Sequence, residues 1–335
     1  MDLADLRPMQ ATPAFDDFPR LVPCQPTFAL LRKTARGRCR ATRWQNRCVF
    51  EGFTTDQIHI GDASTFVRHG GDGPPVVLLH GHPRTSATWH RVAPQLVRRG
   101  FTVVCPDLRG YGRSRGPAPT PDHSAHSKRA AAGDVMTVMH ALGHRQFALA
   151  GHDRGSYVAL RLALDHPEAV SHLALLDCIP ISEHLSRITT EFATRWWHWF
   201  FFAQPETPER VINADPDRWY HGDPEAMGQG NYDEWREATR DPDVVRAMLE
   251  DYRAGLTVDR QHEEADRAVG NRLRPPLLVL WSQRDDLEDF YGNPLVIWRD
   301  WADDVRGHSV DSGHHMAEEA PNALAASLGD FFSYR

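Results

Sequence analysis

The sequence predicts an α/β protein: a mostly parallel, doubly wound sheet interrupted by one long helical insertion. Three observations predict it. Short unbroken apolar runs, at 76–79 and 147–151 among others, have the form of strands buried on both faces of a sheet. Helical stretches separate them at the rhythm of parallel crossovers. After Ile179 that rhythm stops, and a helical stretch rich in Trp and Phe and punctuated by Pro and Gly runs until a strand resumes near 275. At 335 residues and 41% hydrophobic, the chain fits one sheet domain with an insertion better than two domains.

The elements follow in order. Residues 1–50 form an irregular extension with a basic run at Arg32, Lys33, Arg36, Arg38, Arg40, Arg43 and Arg47. It reads as a poorly ordered extension rather than as a binding element. Alternating strands at 57–60 and 65–68 flank Gly61-Asp62, a hairpin signature. The apolar run 76–79 ends at His80-Gly81, a helix is expected over 88–99, and 101–105 is a second buried strand. Helix 130–142, strand 147–151, helix 156–165 and strand 172–176 continue the alternation up to Asp177. Strand 275–281, helix 294–302, strand 305–310 and a closing helix over 317–332 complete it. The expected organisation is therefore a core made of 51–178 and 271–335, with 179–270 as a helical lid.

Composition excludes several classes. The net charge of −7 points neither to nucleic acid nor to an anionic membrane surface. No apolar stretch has membrane-spanning length, and the N-terminus lacks a secretory pattern, so cytoplasm is the expected location. Five cysteines (Cys24, Cys39, Cys48, Cys105, Cys178) show no zinc-ligand spacing and no disulfide framework. No metal and no organic cofactor is expected; the partner is a small-molecule substrate, with a homodimer as the assembly to look for.

Gly151-His152-Asp153-Arg154-Gly155 sits between an apolar strand and a helix. The form G-x-Nuc-x-G at such a junction is a nucleophile elbow, in which small flanking residues let the backbone turn sharply and raise the central side chain above the sheet edge. The central residue here is Asp153. A carboxylate at a helix N-terminus stays ionised and attacks carbon, giving an ester that a second step must hydrolyse. His80-Gly81-His82-Pro83 ends a buried strand, so the backbone N–H groups of His82 and Arg154 are the expected oxyanion donors. His314 lies after the last strand and before the last helix, the place for the base, with its neighbour His315 as the alternative. Asp177 and Asp285 each follow a strand and are alternative acids to orient it.

These residues resemble the haloacetate (fluoroacetate) dehalogenases of the α/β-hydrolase superfamily. The carriers are His80-Gly81-His82-Pro83, Trp89-His90-Arg91-Val92-Ala93-Pro94, Asp107-Leu108-Arg109-Gly110-Tyr111-Gly112, the elbow itself, and Leu162-Ala163-Leu164-Asp165-His166-Pro167. The resemblance runs from about residue 50 to the C-terminus. It implies hydrolytic dehalogenation of short 2-haloacids and favours Asp177 over Asp285 as the acid. It further implies that His198 and Trp199 hold the departing halide, with Thr257 at the place of a third, tyrosine donor. Arg154 falls where that family keeps one carboxylate-binding arginine, and Tyr157 where it keeps the second. This loss of a bidentate cation leaves Arg84 as the residue expected to supply the missing charge. Related epoxide hydrolases protonate the opening ring with a pair of lid tyrosines, and Tyr220, Tyr232 and Tyr252 keep that alternative open. An intact nucleophile, base, acid and oxyanion strand argue against a non-catalytic binding protein.

Overall fold

The computed structural model describes residues 49–334. The basic run falls outside the described residues, as does the rest of the 1–50 extension up to residue 48.

Alternating and continuous apolar strands divide the sheet into two regimes. β1 (Thr54–Ile60) and β2 (Ala63–Gly70) pair antiparallel across the Gly61-Asp62 turn, and the side chains of β1 alternate between half-buried and exposed. β3 (Pro75–Leu79), β4 (Thr102–Pro106), β5 (Phe147–His152), β6 (Val170–Leu176), β7 (Leu277–Ser282) and β8 (Val305–Val310) run parallel to one another, with β2 antiparallel to β4. The order is β1-β2-β4-β3-β5-β6-β7-β8. The chain leaves β3 toward one edge and returns as β5 on the other side. The crevice above the β3 and β5 carboxyl ends is therefore the switch point at which open α/β sheets place ligands.

Each central strand feeds two cores. Val76 and Leu78 of β3 pack with Trp89, Leu324 and Leu328 on one face, whereas Val77 and Leu79 pack with Val158 and Leu162 on the other. All four β3 side chains are fully buried, and each contributes about 1.5–3 kcal/mol. That is why the run reads as continuously apolar. Between β6 and β7 every regular element is helical, from Ile181–Ser186 through Pro242–Ala254 to Arg260–Ala268.

Three predicted helices are broken. The 88–99 stretch is a 3₁₀ turn, Ser86–Arg91, followed by a helix at Ala93–Arg98, because Pro94 has no N–H to continue the ladder and must sit in a first turn. The closing helix is split into Met316–Glu319 and Pro321–Phe332 for the same reason at Pro321. The 294–302 helix shrinks to the single turn Leu295–Trp298, after Gly292 at φ +63° ends the preceding turn Leu287–Tyr291. Among the described residues no helix is long and apolar enough to cross a membrane.

Candidate active site

The register brings the ends of β3, β5 and β6 side by side: Leu79 pairs with Gly151, and His152 with Leu176. The residues that follow, His80–His82, Asp153 and Asp177, therefore meet above one sheet edge. Asp153 adopts φ +50°, ψ −120° between β5 and the helix Arg154–Asp165, the strained conformation an elbow imposes. A side chain at Gly151 would strike the Gly155 carbonyl, and one at Gly155 the carbonyls of His80 and Leu79. The two glycines let the helix start press onto β3.

One oxygen of Asp153 is anchored and the other is not. His82 N–H donates to Oδ1 at 2.7 Å, and the Arg154 backbone N–H also favours the carboxylate's charge. Oδ2 lies 3.9 Å from His314 Nε2. Burial opposes the Asp153 charge, yet His314, His152 and Arg154 together outweigh it and hold the carboxyl below its ordinary 3.8. Gly81 is required beside it, since an added Cβ there would run into the Asp153 side chain.

His314 is gripped from behind by both candidate acids. Its Nδ1 lies 2.7 Å from Asp177 Oδ2 and 2.7 Å from Asp285 Oδ2. Asp177 also accepts from the Ser282 N–H and hydroxyl, each at 3.1 Å. Burial, with Asp285 alongside, pushes the Asp177 carboxyl up to about 6 against the pull of His314. Asp285 is partly exposed; burial works against its charge, but the hydrogen bond and charge of His314 hold it low. For His314 burial disfavours the cation, and the hydrogen bonds to both acids with the charge of Asp153 override this and raise it well above 6.5. The neighbouring His315 has a buried Nδ1 with no partner among the described residues and is pushed the other way by burial and Arg84. His152, which sequence reasoning passed over, ties the His314 loop down by a 2.7 Å hydrogen bond from Nε2 to the His314 carbonyl. Ligand-type atoms of His152, Asp177 and His314 lie within 4.8 Å of one another, and His152 Nε2 and His314 Nδ1 are each hydrogen-bonded within the protein.

A cavity of about 470 Å³ opens between the strand ends and the helical segment, with His82, Arg84, His198, Phe202, Tyr220 and Glu318 in its wall. His198 and Trp199 come from the helix His198–Phe202. Burial, partly offset by Asp153, lowers the His198 imidazole to about 4, so near neutral pH it is an uncharged ring with one N–H to donate. Trp199 is buried, its ring centroid 6.3 Å from each of Tyr157 and Tyr252.

The Arg154 side chain sits in this aromatic nest, 4.1 Å from the Tyr252 ring centre, 5.2 Å from Tyr157 and 5.7 Å from Trp199. Its Nε donates to Asp251 Oδ2 at 2.6 Å and Nη2 to the Asp251 carbonyl at 2.8 Å, while Nη1 is buried without a partner among the described residues. Asp251 in turn accepts from Lys128 Nζ at 2.5 Å, and Lys128 also reaches Asp259 at 3.4 Å. Sequence reasoning missed this network. Its one signal was that Lys128 is one of two lysines in the chain.

Two residues expected to serve the substrate have their polar groups engaged within the protein. The Arg84 guanidinium forms a fork on Glu318 at 2.9 and 3.1 Å, and Glu318 also accepts from Thr88 and Asn231, so the Arg84 charge is already met. The Thr257 hydroxyl donates to the Arg253 carbonyl at 2.7 Å within the irregular turn Gly255–Asp259, which consumes the proton a halide would need. Tyr157, in place of an arginine, packs its ring between Trp199 and His184.

Comparison with known proteins agrees with this architecture. The pattern of the α/β hydrolase fold matches residues 74–321. A fluoroacetate dehalogenase from Burkholderia sp is 38% identical over 85% of this chain and 95% of its own length. A soluble epoxide hydrolase from Corynebacterium sp. (strain C12) is 29% identical over 78% of this chain and 91% of its own. Among solved structures, ALR0039 from Nostoc sp PCC 7120 superposes with a TM-score of 0.81 at 40% identity, covering 84% of this chain and 99% of that one.

Proposed function

The chain belongs to the α/β-hydrolase fold family, among its haloacetate (fluoroacetate) dehalogenase-like members, and on that premise we propose that it hydrolyses a carbon–halogen bond through an ester on Asp153. The observation that carries this reading is the asymmetry of the Asp153 carboxylate, with Oδ1 fixed by the His82 N–H at 2.7 Å and Oδ2 turned toward His314.

In the first step Oδ2 displaces the halide in line; the new C–O bond forms as the C–X bond breaks, and the halide leaves with the bonding pair. His198 and Trp199 supply ring N–H groups to the departing charge in a water-poor pocket. In the second step His314 Nε2 takes a proton from water, and the hydroxide adds to Cγ of the ester. The oxyanion formed at Oδ1 rests on the N–H groups of His82 and Arg154. Collapse breaks the bond from Cγ to the ester oxygen and the product alkoxide takes the proton back from His314; the Asp153 carboxylic acid left behind, which keeps the second water proton, then releases it to solvent through His314, and the carboxylate is restored. The acids behind Nδ1 keep the imidazole in one tautomer and balance its charge in between.

The substrate class we read is a short 2-haloacid, with 179–270 as a lid over it. Its support is the dehalogenase relative and Arg154 Nη1, an NH2 group with no partner among the described residues and so free to donate to a carboxylate oxygen. A second reading is favoured by a specific observation: the Tyr220 hydroxyl is buried in the cavity wall without a partner among the described residues, its ring 5.7 Å from that of His82. A free phenol there suits protonation of an opening epoxide. Incubating the purified protein with chloroacetate and with a styrene-type epoxide separates the two. Chloride release supports the first reading, diol formation the second.

A further inference from the structure

Behind His314, two carboxyls from different strand ends compete for one N–H. Asp177 Oδ2 and Asp285 Oδ2 each lie 2.7 Å from Nδ1, so oxygens of two separate carboxyls crowd the same ring nitrogen. Two ionised carboxylates are acceptors only, and Nδ1 has a single proton to offer them, so one of the two oxygens would face the other carboxylate with no proton between them. If both were ionised, His314 would also stand among three negative charges, counting Asp153 at 3.9 Å in front, with a single imidazolium to offset them.

We propose that Asp177 and Asp285 work as one acid, a carboxylic acid–carboxylate pair that shares a proton, carries one negative charge, and positions His314 through either member. The shared proton resides on Asp177, whose side chain is 1% exposed against 25% for Asp285; the more solvated carboxylate bears the charge. The high Asp177 and low Asp285 titrations described above agree with that division. Through ester hydrolysis the Nδ1 proton stays in place. The proton taken from water travels on Nε2, and the monoanionic pair balances the imidazolium without losing its own proton. Each of two strand ends thus holds the base, whereas a single acid would leave it held from one side.

The inference rests on His314 acting as the base of the second step. Asp177→Asn, Asp285→Asn and the double variant are mixed with chloroacetate, and intact-protein mass follows the Asp153 adduct with time. The adduct forms at the wild-type rate in all of them. Its decay slows by roughly 10- to 100-fold in each single variant and by about 10⁴-fold in the double, the scale of losing the orienting acid altogether. Substrate-free infrared spectra at neutral pH, compared with wild type, show a protonated carboxyl C=O band missing from both single variants. Wild-type decay in Asp285→Asn, or Asp177→Asn alone reaching the rate of the double variant, overturns the shared role, as does the absence of that band. If no adduct forms in any variant, it is the Asp153 reading that fails, and the infrared band still decides whether the pair shares a proton.

Discussion

Asp251 is a position where removing one oxygen's charge should unsettle both the lid and the elbow. Its carboxylate lies between Arg154 Nε at 2.6 Å and Lys128 Nζ at 2.5 Å, and both cations are buried. Burial opposes its ionisation, but Arg154 and Lys128 prevail and hold the carboxyl down at about 2 from 3.8. A drop of that size corresponds to roughly 2–3 kcal/mol of folding free energy. Because the folded value lies below the unfolded one, this stabilisation is complete above about pH 4 and is lost as pH falls toward 2. Asp251→Asn goes further, since it leaves two buried cations facing Asp259 alone, and should cost about 3–5 kcal/mol. Urea unfolding of wild type and variant at pH 7 measures it. Arg154 is at the same time released from its counter-charge, so KM for a 2-haloacid should fall in whatever fraction stays folded. A stability loss below about 1 kcal/mol would refute the reasoning, for it would mean that the network is hydrated rather than buried.

Other consequences are local. Gly81→Ala places a methyl against the Asp153 carboxylate and should lower kcat about 10²-fold with little change in thermal stability, read by initial rates and a melting curve. His198→Ala and Trp199→Phe should each slow halide release by about 10- to 10²-fold while leaving epoxide opening untouched, which parallel halide and diol assays would distinguish. In single-turnover experiments the alkylation step should be flat above about pH 4, because Asp153 ionises below its ordinary 3.8. Ester decay should instead rise with pH through the elevated His314 pKa, since only the unprotonated ring is a base.

The parts of the site that lie close together in sequence were legible. The elbow could be read because its glycines and nucleophile occupy five consecutive residues between a strand and a helix, and His314 because the place after the last strand is shared only with its neighbour His315 and not with the seventeen other histidines. Sequence left Asp177 and Asp285 as alternatives because adjacency of β6 and β7 in the sheet is a tertiary fact; the structure brings both to one nitrogen. Arg84 looked free because its partner Glu318 lies 234 residues away. Arg154 looked free for the same reason, since Asp251 is 97 residues on. Charge pairing at such separations leaves no mark in local pattern. The broken helices are a different case: Pro94 and Pro321 were visible, but apolar periodicity ran through them and overrode their missing N–H groups.

The central claim is a covalent ester on Asp153, and the most direct measurement is the intact mass of His314→Asn after incubation with chloroacetate. Without the base the second step stalls, and the account predicts a carboxymethyl adduct that maps to Asp153 and persists. Folded His314→Asn protein that turns chloroacetate over with no adduct on Asp153 would contradict it.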